Sequence, residues 1–233
     1  MNVYYDIRTV YPGSSPIVLS MVADNGEYFY AEFSDFDKDG VNEWMMKNIL
    51  TKLAFHEPKK GEAEHYVRYN HRFNGENAYS LEMRGGWYTV RENLIKWLEQ
   101  FLSETVQFVG DNVYFSAFAF HHFMDDGMEL PEWCNYGVFD VNQMMACCVT
   151  RRKFAGKNVK FSDVMRGTHD WDRNEIYKLV DEDDMNAEEP HFLTEAKAVR
   201  AIYNVFSRMY FAPTTIIDAN PTEDTVQEAT TDE

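Results

Sequence analysis

Apolar and polar residues alternate with a period of two along the opening stretch of the chain, as expected of strands with two distinct faces. "NVYYDI" (2–7) reads as one strand, and "IVLSMVADNGEYFYAEF" (17–33) as two more joined at Asn25-Gly26, a dipeptide suited to a tight hairpin. The Pro- and Gly-containing "YPGSSP" (11–16) separates the first strand from the second. Three antiparallel strands are therefore expected first.

The period then changes. After the acidic turn "SDFDKDG" (34–40), "VNEWMMKNILTKL" places Val41, Trp44, Met45, Ile49 and Leu53 near helical spacing, which predicts an amphipathic helix lying on the sheet. Residues 55–88 hold a second hairpin-like piece, "HYVRYNHRF" and "AYSLEMRGG" around Asn74-Gly75, read as an insertion. "TVRENLIKWLEQFL" sets Val90, Leu94, Trp97, Leu98 and Phe101 on one helical face and runs into a strand, "VQFVGD". "YFSAFAFHHFM" reads as a buried helix and "VNQMMACCV" as a short one. "TEAKAVRAIYNVFSRMYF" is a long helix with Ala198, Ile202, Val205, Phe206 and Met209 at helical spacing. Helix-to-strand succession after an antiparallel hairpin points to an α/β class, a mixed sheet flanked by helices. One domain is expected over 1–212. The Thr-, Asp- and Glu-rich segment 213–233 reads as an acidic, mobile tail.

Composition narrows the function classes. With 45% hydrophobic and 15% aromatic residues in 233, the chain can build a core without disulfide or metal staples. Its formal charge of −17, from 22 basic and 39 acidic residues, repels phosphate backbones and disfavours nucleic acid as a partner of the whole surface. A positively charged partner is favoured instead. Three cysteines, Cys134 and the adjacent Cys147 and Cys148, do not form a secreted disulfide pattern and suggest a reducing cytoplasm. Neither an export signal nor an 18-residue apolar run is evident, so no membrane association is expected.

The strand–hairpin opening, "IVLSMVADNGEYFYAEFSDFD", "NILTKL" and the later strand and helix resemble the small phage and bacterial 3′-to-5′ exoribonucleases of the DEDD class, on an RNase H-like fold. The resemblance covers the first 55 residues and, less fully, 105–150 and 190–210. It implies a site of four carboxylates holding two Mg²⁺ or Mn²⁺ ions, with a late His as general base. Asp6 matches the first carboxylate. Where the motif has its second, two residues on, stands Arg8, and strand geometry turns both side chains to one face. A guanidinium there is expected to pair with Asp6 in competition with metal. In the second motif Ser116 stands for the acid, while Asp111 lies five positions away and reads as a strand-end or capping residue as well as a candidate ligand. In the third, His191 matches, and family spacing puts the acid on Ala196 unless one deletion gives it to Glu195. The site reads as dismantled, with Asp6, Asp111, His191 and Glu195 as its vestiges, or as the active residues of a divergent enzyme. Within this fold group the resemblance extends to phage-encoded inhibitors of the bacterial RNA degradosome. It then implies a homodimer without cofactor in the cytoplasm of an infected host, bound to the basic RNA-binding segments of RNase E.

Remaining features carry both a plain and a functional reading. Asp35, Asp37, Asp39 and Gly40 imitate a calcium loop, but the twelfth position is Met46, so acids placed before a helix explain the run. His121-His122 and Cys147-Cys148 lack a second pair at ligand spacing and read as core or surface residues. Asp181, Glu182, Asp183, Asp184, Glu188 and Glu189, with Asp125 and Asp126, form either a solvated acidic face or a docking surface for Lys/Arg-rich peptide. Arg151, Arg152, Lys153, Lys157 and Lys160 form a basic island.

Overall fold

The period-two segments pair into one sheet: β1 (Asn2–Thr9), β2 (Pro16–Ala23) and β3 (Tyr28–Phe33) form an antiparallel meander. The structure, a computed structural model, describes residues 1–55, 66–71, 79–111, 113–125, 128–144 and 189–210. At the β2–β3 hairpin Gly26 adopts a positive φ of 87°, and the Asn25 Oδ1 accepts from the Glu27 N–H, so the dipeptide performs the turn it signals.

The segment read as an insertion adds β4 (Tyr66–His71) and β5 (Tyr79–Gly85) to the same sheet, with β5 parallel to β3. On the other side β6 (Val106–Gly110) runs parallel to β1, and β7 (Cys134–Asp140) parallel to β6. The seven-stranded order is β4-β5-β3-β2-β1-β6-β7. This is an α/β fold with a mixed sheet flanked by helices. The sequence reading did not include β7, whose middle is exposed at the sheet edge and carries little apolar alternation.

Helices cover both faces. α2 (Trp87–Leu98) buries Val90, Leu94, Trp97 and Leu98, the stripe its spacing predicts, and packs with α3 (Val113–Phe123) on Val3, Tyr5, Leu19, Met21, Phe29, Leu81 and Met83. α3 is not buried all round, as its sequence suggested. Ala119, Phe120 and Phe123 face the core, whereas Phe115 and Phe118 are exposed. The opposite face carries α4 (Leu193–Tyr210), whose Ala196, Val199, Ile202 and Phe206 are buried while Val205 faces solvent, contrary to expectation.

The expected helix over 41–53 is also corrected. α1 spans only Glu43–Asn48, followed by a 3₁₀ turn at Leu50–Lys52. Side chains of Asn48 and Thr51 donate to the carbonyls of Trp44 and Lys47, local bonds that compete with a longer helical ladder. Trp44 is 61% exposed, turned about 100° from Met45, which packs on the core. Among the described residues no helix is long and apolar enough to cross a membrane.

Candidate functional site

Alternation along β1 turns Tyr4, Asp6 and Arg8 toward the α4 side of the sheet. Opposite them on β2 stand Val22, Ser20 and Val18. The Ser20 hydroxyl donates to the Phe192 carbonyl at 2.8 Å, and Phe192, Leu193 and Ala196 pack on the same apolar cluster as Val18 and Val22. These contacts seat the start of α4 over β1 and β2, which delivers Glu195 to Arg8. The Arg8 Nε donates to Asp6 Oδ2 at 2.8 Å, and its Nη2 lies 3.5 Å from Glu195 Oε2. The pairing anticipated from the sequence is present. Ala196, the position family spacing designates, is fully buried, and Glu195 is the acid that reaches the site.

Burial dominates the electrostatics of Asp6, whose side chain is 13% exposed. Its carboxyl is pushed up to about 6, first by desolvation, against which the Arg8 charge and hydrogen bond act, while the charges of Glu195 and Asp111 push it further up. Asp111 stands near because β6 is parallel to β1, with Gly110 opposite Tyr5. An Asn142 amide donates to the Asp111 carboxylate. Ser116 belongs to the other face of the sheet: it is buried, donates to the Asp111 carbonyl at 2.9 Å and lies 3.5 Å from the Tyr5 hydroxyl.

His191 completes the cluster. It lines a cavity of about 240 Å³ with Arg8, Trp44, Ile49, Lys52 and Glu195. Partial burial, and then the nearby Lys52 charge, lower its proton affinity below that of a free imidazole, with Glu195 acting in the opposite sense. The ring is therefore neutral at pH 7.

The structure thus brings Asp6, Glu195 and His191 around Arg8, with Asp111 within electrostatic reach. They do not fit a two-metal centre. Among the described residues no three His, Cys, Asp or Glu side chains converge as metal ligands, and the guanidinium that joins Asp6 to Glu195 brings a cation where an ion would need their lone pairs.

Other candidates have plain structural roles. Asp37 Oδ1 accepts from the backbone of Asp39 and Gly40, and Asp35 accepts from the Trp87 N–H at the start of α2, so the calcium-like run makes a turn and a helix cap. His121 contacts the Tyr136 carbonyl at 2.8 Å and stacks on its ring, and His122 packs on Trp87. Glu189 pairs with Lys197. Asp125 is exposed and lines a cleft of about 480 Å³ with Ser15, Asp35, Trp87, Tyr88 and Arg91. Asp126, Asp181, Glu182, Asp183, Asp184 and Glu188 lie outside the described residues, as do the basic island, Cys147, Cys148 and the tail.

Sequence reasoning missed the polar ladder on β3 and β5. Tyr28, Tyr30 and Glu32 alternate with core residues on β3, as do Ser80, Glu82 and Arg84 on β5, and all six are buried. Tyr28 donates to Glu82 at 2.7 Å and Tyr30 to Glu32 at 2.6 Å. The alternation was visible, but polar positions of a strand ordinarily face water. Compared with known protein families and with curated proteins, the chain matches none.

Proposed function

We propose that this chain is a non-catalytic protein on an RNase H-like scaffold of the DEDD exoribonuclease type, and that its acidic surface binds basic RNA-binding segments of a host ribonuclease. In full, the reading is of a phage protein, homodimeric and cytoplasmic in the infected cell, that occupies such segments of RNase E and inhibits RNA degradation by the degradosome. The observation that carries it is the Arg8 guanidinium engaged with both Asp6 and Glu195, where an enzyme of that type needs carboxylates directed at metal. Three antiparallel strands first, then parallel strands beside β1, agree with the scaffold that the resemblance implies.

The charge of −17 supplies long-range attraction for a cationic segment. A local recess suited to such a segment is the cleft with Asp35 and Asp125 beside Trp87 and Tyr88. Carboxylates with aromatic faces suit Arg and Lys side chains, and Arg91 already lies over the Tyr88 ring at 5.2 Å. The test is fluorescence anisotropy with a labelled Arg-rich peptide from the RNase E RNA-binding region. Between about 0.05 M and about 0.5 M NaCl the affinity should fall at least about tenfold, because exposed charge pairs are screened within several ångström. An affinity independent of salt refutes the reading.

A second reading is favoured by the clustering of Asp6, Asp111, His191 and Glu195 at one end of the sheet. In it the chain is a divergent 3′-to-5′ exoribonuclease dependent on Mg²⁺ or Mn²⁺, and Arg8 has to leave Asp6 first. Nucleotide release from labelled single-stranded RNA that is lost in Asp6→Ala supports this second reading and overturns the first.

A further inference from the structure

A different cavity, on the same sheet face but at the β5 side, carries an inference independent of the binding role proposed above. Its volume is about 490 Å³, within the range of small-molecule sites, and its walls are mostly apolar: Phe36, Val41, Leu50, Leu53 and Phe55. The polar exception is Arg84, with Lys38 and Thr51 also on the lining.

Arg84 is 7% exposed, and its Nε has no hydrogen-bond partner. Its one hydrogen bond is long, from Nη1 to the Phe55 carbonyl at 3.4 Å. No carboxylate lies within ion-pair distance of it among the described residues. Glu82, its neighbour on β5, is held instead by Arg68 at 2.5 Å and by the Tyr28 hydroxyl. Glu32, its cross-strand neighbour, uses Oε1 to accept from Tyr30, Ala54 and Phe55. A guanidinium is always charged, and a buried charge without a hydrogen-bonded counter-charge is costly. The fold therefore holds a desolvated cation at the wall of an apolar chamber, the arrangement that selects an anion with a hydrophobic body.

We propose that this cavity binds a small amphipathic carboxylate, an aliphatic or aryl acid, with its carboxylate on Arg84 and its apolar body against Phe36, Leu50, Leu53 and Phe55. The overall negative charge does not prevent this, because exposed charges are screened beyond about 8 Å at physiological ionic strength whereas Arg84 is in direct contact and desolvated.

The test is calorimetric titration of the full chain with octanoate and, separately, with 1-octanol, its uncharged counterpart of similar length. Octanoate should bind saturably at one site, with half-saturation at about 1 mM or below for a ligand of this size. Octanol should bind at least about tenfold more weakly, since it forgoes a charge-assisted hydrogen bond. Arg84→Met should abolish the preference. Met46→Trp alters an exposed residue on the cavity lining and should weaken both ligands without disturbing the core. The proposal is overturned if octanoate shows no saturable binding, if octanol binds as tightly, or if Arg84→Met retains the preference. Should Arg84→Met fail to fold, an unchanged octanoate affinity in Met46→Trp overturns it by itself.

Discussion

Replacing Arg8 by methionine keeps an unbranched stem of similar reach and removes the charge that joins Asp6 to Glu195. Its side chain is 24% exposed and that of Asp6 13%, so the pair is screened less than a surface ion pair. A charge-assisted hydrogen bond contributes about 1.5–3 kcal/mol, and removing one partner of a buried pair costs about 3–5 kcal/mol; a partly buried pair with a longer second contact belongs near 2–3 kcal/mol. The loss must depend on pH. In the wild type Asp6 titrates at about 6, so at pH 7.5 it is ionised and the full ion pair is at stake. At about pH 4.5 the carboxyl is largely protonated in both proteins, and only a neutral hydrogen bond is lost. In Arg8→Met the two influences that hold the Asp6 carboxyl down are gone, while Glu195 and Asp111 still push it up, so its titration moves above that of the wild type. Urea denaturation at the two pH values reads both effects. At about 2–3 kcal/mol per molar urea the midpoint should fall by about 1 M at pH 7.5 and by less than half of that at pH 4.5. A variant within about 0.5 kcal/mol of wild type at pH 7.5, the range of an ordinary surface change, refutes the assigned role of Arg8.

Asp6→Asn tests the same carboxyl from the other side. Its folded value of about 6 lies above the ordinary 3.8, so the stability it contributes is fully present below about pH 3.8 and is lost as pH rises through about 6; relative to Asp6→Asn, the wild type should lose up to about 3 kcal/mol from pH 4 to pH 7. Parallel pH–stability profiles for the two proteins would contradict this. Gly110→Ala places a Cβ 2.9 Å from Tyr5 Cε1 and 3.0 Å from Cζ, on a ring packed against Phe108 and Phe120. It should destabilise by about 1–3 kcal/mol in urea melts, and an unchanged midpoint would show that Tyr5 has room to retreat.

Local rules made the β1–β3 meander legible, since alternation, a Pro-Gly turn and Asn25-Gly26 each act over a few residues. They also made β5 legible as a strand but not its place. Its parallel partner β3 ends 46 residues before β5 begins, and no short-range pattern encodes that pairing. The helix over 41–53 failed for a related reason. Spacing alone put Trp44 with Val41 and Met45, whereas a turn and a half of helix, ended by Asn48 and Thr51, has room to bury only part of that set. At the site, period two sufficed to put Asp6 and Arg8 side by side. Glu195 needed the resemblance, because nothing local says that α4 begins over β1.

The polar ladder was illegible because the rule that hides it is usually right: the polar side of an alternating strand faces water unless something covers it. Here α4 covers Asp6, Arg8 and Ser20, and the 41–55 segment, itself poorly helical, covers Glu32 and Arg84. One sheet face thus encloses two arginines under different terms. Arg8 is neutralised by two carboxylates and is therefore ill suited to recruit an anion, whereas Arg84 lacks a counter-charge among the described residues and opens onto an apolar chamber. The same burial that disables one end of the face for metal chemistry equips the other to hold an anionic ligand. The two ends are separable by experiment, since Arg8→Met should leave the octanoate preference intact and Arg84→Met should leave the titration of Asp6 where it is.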